Sequence, residues 1–134
     1  MKYAFLIYTE MDWIERRTPE QESAARAANV AIVEEAAARK VFSGIYRLQP
    51  PTQSITARRQ NGELHLTDGP FAETKEILGG FYLIDCKDED EARYWAGRLT
   101  ETGCSTAVEF RPVAEFVTGL ELPSEHAEAS LAEA

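Results

Sequence analysis

One stretch of the chain is chemically unusual: Asp68-Gly69-Pro70-Phe71-Ala72-Glu73-Thr74-Lys75-Glu76. A carboxylate stands directly before Gly69-Pro70, a pair that forces a tight turn. Phe71 then offers an apolar anchor, Glu73, Lys75 and Glu76 add charge, and Gly79-Gly80 supplies a second flexible point before the next apolar run. A loop with fixed ends, a carboxylate and a lysine suits the lip of a small pocket. A partly desolvated Asp68 would have a raised pKa and could move protons, which makes it the candidate catalytic residue. The same residues also fit a plain turn, with Asp68 capping backbone N–H groups and Glu73 and Lys75 as solvated surface charges.

Position decides between these readings, and the elements that hold the loop set that position. Ser54–Arg59 and Leu64–Thr67 flank Gln60-Asn61-Gly62-Glu63, and Asn-Gly between alternating runs predicts a hairpin with positive φ at both central residues. That turn pairs Arg59 with Leu64, Arg58 with His65, Ala57 with Leu66, Thr56 with Thr67 and Ile55 with Asp68. Ile55, Ala57, Leu64 and Leu66 then share one face with Asp68, which puts the carboxylate on the core side. Thr56, Arg58, His65 and Thr67 share the other, where His65 reads as an exposed strand residue.

Around the hairpin, Tyr3–Tyr8 is apolar on both alternating faces, as in a covered strand. Thr9–Arg17 reads as a polar connection. Thr18-Pro19-Glu20-Gln21 opens a helix through a capping box with proline at the first helical position. That helix is expected to run to Val41, bury Ala27, Val30, Val33, Ala37 and Val41, and stop ahead of Gly44. Ile45–Leu48 and Phe81–Cys86 read as strands. Asp88 caps a second helix that buries Ala92, Trp95, Ala96 and Leu99 and ends near Thr102-Gly103, and Thr106–Val113 forms the last strand. Trp13 and Trp95 read as packing residues. The order β-α-β-hairpin-β-α-β predicts an α+β domain: a ferredoxin-like, split βαβ antiparallel sheet with two helices on one face and an extra hairpin. The other sheet face would expose apolar residues, and a homodimer packed face to face covers them most economically.

The chain has 134 residues, enough for one core. With 44% apolar and 28% charged residues it reads as globular. The net charge of −9 argues against nucleic acid or an anionic membrane as the main partner. Four of those charges, Glu121, Glu125, Glu128 and Glu133, lie in residues 119–134, read as an acidic tail to a single domain over 1–118. Cys86 and Cys104 show no metal-ligand spacing and read as reduced thiols, with a disulfide left open. The apolar run Tyr3–Tyr8 is too short for a signal core or a membrane span, so the expected location is the cytoplasm. No metal site and no phosphate loop are expected, because Gly79-Gly80 precedes a strand and not a helix.

Thr67–Glu76, followed by Gly79-Gly80-Phe81-Tyr82, resembles the signature of the YCII-related family in its DGPF-domain branch. The similarity extends to Leu6-Ile7-Tyr8, Thr56-Ala57-Arg58 and Val108–Val113, and covers roughly residues 2–116. The resemblance implies a dimeric α/β-barrel and, in some members, a His–Asp pair in a cleft, with Asp68 in the aspartate's position. Here the helix from Thr18 to Val41 contains no histidine; the chain's histidines are His65 and His126. Arg58, Lys75 or Tyr8 would then have to partner Asp68. The expected binding residues are Arg58, Phe71, Glu73, Lys75 and Tyr8, around an unknown small molecule and with no cofactor. The family's association with sigma factors implies the alternative, a non-catalytic sensing or interaction module.

Overall fold

The computed structural model describes residues 1–114. The acidic tail over 119–134, and with it His126, lies outside the described residues. Six strands and three α-helices follow in order: β1 (Lys2–Glu10), α1 (Met11–Arg16), α2 (Pro19–Ala38), β2 (Phe42–Arg47), β3 (Ile55–Gln60), β4 (Glu63–Asp68), β5 (Glu76–Asp85), α3 (Glu89–Leu99) and β6 (Ala107–Pro112). Four strands form one antiparallel sheet in the order β2-β5-β1-β6, and β3 with β4 forms a separate two-stranded sheet.

The helix boundaries follow from local chemistry. Thr18 accepts from the Gln21 N–H at 3.1 Å while the Gln21 side chain accepts from the Thr18 N–H at 2.8 Å, so the capping box closes in both directions. The stop is set by Lys40 and not by Gly44, which lies inside β2. Lys40 has φ +60°, and the Val41 and Lys40 N–H groups return to the Ala36 and Ala37 carbonyls at 3.0 Å each. A left-handed residue with these two bonds ends a helix as effectively as glycine does, at some local strain. The stretch expected to be a polar connection instead contributes Thr9 and Glu10 to β1 and the short helix α1, which carries an Asp12–Arg16 ion pair at 3.1 Å.

α2 buries Ala25, Ile32 and Ala36, while Val30 is 46% exposed and Ala27 and Ala37 face solvent. The expected stripe is thus rotated. In a helix this rich in alanine nearly every face looks weakly apolar, and Ile32, the bulkiest side chain, decides which one packs. α3 buries Ala92, Trp95, Ala96 and Leu99 as expected, with Asp88 accepting from the Glu91 N–H at 2.8 Å. Both helices close on the same strand residues, Tyr3, Phe5, Tyr82 and Ile84, so they share one sheet face. Both cysteines are free, and burial pushes the Cys86 thiol up to about 11.

The opposite sheet face carries rows of side chains across the strands. Leu6 pairs with Phe81, which pairs with Tyr46, and Ala4 pairs with Leu83. Tyr46 stacks on Phe81 at 5.1 Å and is 56% exposed. The β3–β4 hairpin has the predicted register throughout, and Asn61 and Gly62 both have positive φ, as the turn demands. Its placement differs from the expectation. The hairpin stands apart from the main sheet, so Ile55 is 67% and Leu66 65% exposed, and Asp68 on the same face is exposed too.

Candidate functional site

The main concavity is an open cleft of about 630 Å³ between the sheet and α2, which lines it from Glu22 to Glu34, with α1 at its edge. Three local features create it. The first is a β-bulge: Ile7 pairs with Gly80 but Tyr8 pairs with Leu78, leaving Gly79 as the extra residue of β5. The Gly79 carbonyl instead accepts from the Leu48 N–H at 2.9 Å, just past the end of β2. The Gly79-Gly80 pair is therefore a bulge inside a strand and not a flexible point ahead of one. The second is Gly80 itself, where a Cβ would come within 2.3 Å of the Tyr46 carbonyl oxygen, so only glycine lets β2 approach β5 this closely. The third is α1, whose Trp13 and Ile14 form a wall of the cleft. Its first N–H bonds to the Lys75 carbonyl at 3.1 Å. The far end of the Asp68–Glu76 loop therefore anchors the cleft's edge.

The floor is apolar, with Ile7, Ile77, Val33 and Ala25, apart from one polar pair. The Tyr82 hydroxyl donates to Asn29 Oδ1 at 2.5 Å, and Asn29 Nδ2 donates to the Ala25 carbonyl at 2.8 Å. Burial raises the Tyr82 pKa, so the phenol stays protonated and keeps this bond. Cys104 completes the polar corner, its Sγ 4.0 Å from Asn29 Nδ2 and 3.2 Å from Thr102 Oγ1. At the mouth, Glu22 lies between two guanidinium groups: Arg47 bonds its Oε1 at 2.9 Å, and Arg17 pairs with its Oε2. The Arg47 hydrogen bond is the main cause that holds the Glu22 carboxyl below its ordinary value. This bridge ties β2 and the α1–α2 connection to the start of α2.

The residues expected from the sequence to form the site do not gather in this cleft; none of Asp68, Arg58, Phe71, Glu73, Lys75 and Tyr8 lines it. Asp68 is neither buried against a cation nor pinned to backbone amides; it stands exposed at the end of β4. Arg58 donates to the Phe71 carbonyl at 3.3 Å, and Thr56 donates to the Gly69 carbonyl at 2.7 Å. The loop therefore folds back over the Thr56–Arg58 face of the hairpin, and Phe71 is left 79% exposed. Lys75 pairs with Glu10 at 3.8 Å, His65 lies 3.9 Å from Glu63, and Tyr8 is placed by register opposite Leu78 and Ala107. Trp95 is core packing as expected, whereas Trp13 lines the cleft.

Asn29, Tyr82, Arg17, Glu22, Arg26 and Arg47 line the cleft instead, and none of them was expected there from the sequence. One signal was available for Asn29: Ala25, Asn29, Ile32 and Ala36 follow helical spacing, so an amide sits within the buried stripe of α2, where it needs a partner. The arginines gave no signal, because single charges on separate elements converge only in three dimensions. Among the described residues, no group of three or more His, Cys, Asp and Glu side chains is placed to hold a metal ion, and no helix is long and apolar enough to cross a membrane.

Three comparisons with known proteins bear on this arrangement. The family profile described as the YCII-related domain matches residues 1–117. An uncharacterised protein of Rhizobium meliloti (strain 1021) is 38% identical over 125 residues, which is 92% of this chain and 100% of that protein. Among solved structures, a 5-chloro-2-hydroxyhydroquinone dehydrochlorinase from Burkholderia phenoliruptrix AC1100, in complex with 2,5-dihydroxybenzoquinone, superposes with a TM-score of 0.50. It is 14% identical, with 87% of this chain and 96% of that one covered. At that identity the likeness shows the fold alone.

Proposed function

We propose that this chain, which belongs to the YCII-related domain family, binds an organic small molecule in the cleft between its sheet and α2. The observation that carries the reading is the cleft itself: about 630 Å³, walled by apolar side chains, with the Asn29–Tyr82 pair as a fixed polar contact. A volume of that order, mostly apolar with a few convergent polar groups, is what a small-molecule site requires. The likeness in fold to a structure that holds 2,5-dihydroxybenzoquinone agrees with this use of the fold, without naming a ligand.

The four-stranded order β2-β5-β1-β6, read as ferredoxin-like, leaves the face with Leu6, Phe81, Leu83 and Tyr46 for a second copy, giving the dimeric α/β-barrel arrangement. In that dimer the Asp68–Glu76 loop and the exposed hairpin face, Ile55, Leu64 and Leu66, remain the candidates for contact with the partner or with a ligand at its edge. Asp68 as an acid/base group depends on that assembly to desolvate it, since within one chain it is exposed. A chain that sediments at 15.0 kDa at high micromolar concentration would remove the dimer and that role together.

The cleft is tested with N-phenyl-1-naphthylamine, a neutral apolar fluorophore whose emission rises on leaving water. Val30→Trp places bulk in the cleft from a position 46% exposed, so the core need not repack. The wild type should bind the probe and Val30→Trp should weaken binding at least about tenfold, as expected where bulk blocks a defined pocket. Equal affinity in the two proteins would mean that the probe, and the proposed function, lie elsewhere.

A further inference from the structure

We infer that the cleft takes an apolar molecule carrying an anionic group, with Arg26 as the residue that holds that group. This deepens the proposed function and rests on the cleft being the ligand site.

The charges around the cleft carry the argument. Its lining includes three guanidinium groups, Arg17, Arg26 and Arg47, and two carboxylates, Glu22 and Glu34. Glu22 is fully committed: Oε2 serves Arg17 and Oε1 serves Arg47. Arg26 lies four residues after Glu22 on α2, the spacing at which a helix ordinarily pairs a carboxylate with a guanidinium. Glu22 turns to Arg17 and Arg47 instead, so among the described residues Arg26 has no carboxylate partner. Glu34 does not compensate for it. Eight residues along the helix correspond to about 12 Å, farther than a Debye length of about 8 Å at physiological ionic strength.

With Glu22 alone set against Arg17, Arg26 and Arg47, the mouth carries an excess of two positive charges on a chain whose overall charge is −9. That excess is specific to the site and opposes the field of the rest of the molecule. It also sets the sign of the ligand's charge. Arg17 and Arg47 are both engaged by Glu22, which leaves Arg26 as the guanidinium without a carboxylate of its own. The apolar walls and the Asn29–Tyr82 pair, one turn beyond Arg26 on α2, then take the rest of the molecule. A carboxylate, sulfonate or phenolate on a ring-sized apolar body has this chemistry.

The experiment uses a matched pair: 1-anilinonaphthalene-8-sulfonate, an apolar monoanion, and N-phenyl-1-naphthylamine, the same body without the sulfonate. Both are titrated by fluorescence into full-length wild type, Arg26→Gln and Val30→Trp, at low salt. Arg26 is on an exposed helix position, so Arg26→Gln should fold, and Arg26→Lys serves as the conservative variant. The readout is the ratio of the two affinities. Arg26→Gln should lower the sulfonate-to-neutral ratio roughly three- to tenfold, the range for a partly solvated charge-assisted contact. Arg26→Lys should recover part of the ratio. If Arg26→Gln leaves the ratio unchanged while Val30→Trp still weakens the neutral probe, the cleft binds ligands but the charge assignment is wrong. If Val30→Trp affects neither probe, the cleft is not the site and both readings fall.

Discussion

Gly80 offers the most direct test of how the cleft is built. Replacing it with alanine would put a Cβ 2.3 Å from the Tyr46 carbonyl oxygen and 3.2 Å from the Arg47 Cα, both backbone atoms of β2. Real Cβ contacts do not fall below 3.0 Å, so β2 would have to move away from β5 by most of an ångström. Two effects oppose each other. Alanine removes about 0.5–1 kcal/mol of the entropic disadvantage of a strand glycine. The forced backbone shift costs about 1–3 kcal/mol, at the upper end because no flexible side chain can yield. The clash wins, with a net loss of about 2 kcal/mol, or roughly 6–10 °C in Tm for a domain of this size. Gly79→Ala is the internal control. Its Cβ would meet only the Thr9 Oγ1 at 3.2 Å and the Ile7 carbonyl at 3.7 Å, so its net effect should lie within about 1 kcal/mol of zero. Urea denaturation and thermal melts of the two variants give the comparison, and the neutral naphthylamine probe reports whether displacing β2 also disturbs the cleft. If Gly80→Ala is no less stable than Gly79→Ala, the close β2–β5 approach is not a constraint, and the account of the cleft floor fails.

The Glu22 bridge should show in the pH dependence of stability. Its folded pKa lies below the ordinary value of 4.5, so its contribution is complete above that pH and is lost as pH falls through the folded value. Wild type should exceed Glu22→Gln by no more than about 1 kcal/mol at pH 7, because the side chain is one-third exposed, and urea midpoints should converge below pH 4.5 as the lowered folded value is reached; a gap that persists undiminished at pH 3 would contradict it. For the proposed dimer, Leu83→Glu places a charge in the centre of the free sheet face and should convert a dimer to a 15.0 kDa species in sedimentation equilibrium, whereas an unchanged sedimenting mass would place any interface elsewhere.

The hairpin shows what a sequence can and cannot specify. Asn61-Gly62 and the flanking alternation determine every pairing in β3–β4, because a turn with two positive φ values admits one register. The same pattern leaves open what the apolar side of the hairpin faces. Alternation says that Ile55, Leu64 and Leu66 share a side with Asp68; only tertiary placement says whether that side meets the core, solvent or another chain. Local capping chemistry was legible for the same reason as the register. The Thr18–Gln21 box and the Asp88 cap depend on neighbours three residues apart, and both form as read. The face of α2 was not legible, because alanine at so many positions flattens the pattern that would orient it.

The site follows the same division. The Asp68–Glu76 run stands out because its chemistry is contiguous in sequence, yet the cleft is assembled from residues that are far apart: Arg17 before α2, Glu22, Arg26 and Asn29 on it, Arg47 at the end of β2, and Tyr82 in β5. Each is unremarkable alone. They become a cleft through two backbone features, the Gly79 bulge and the close β2–β5 approach at Gly80, and both glycines lie within four residues of the end of the family-like run at Glu76. The conspicuous loop and the cleft are therefore connected by the chain itself. The loop ends at Lys75, whose carbonyl holds α1 at the cleft's edge, and β5 then supplies the bulge that opens the floor. The part of the run that bears most directly on the shape of the cleft is thus its C-terminal half and the two glycines beyond it. Asp68, exposed at the end of β4, lies on the hairpin outside that cleft.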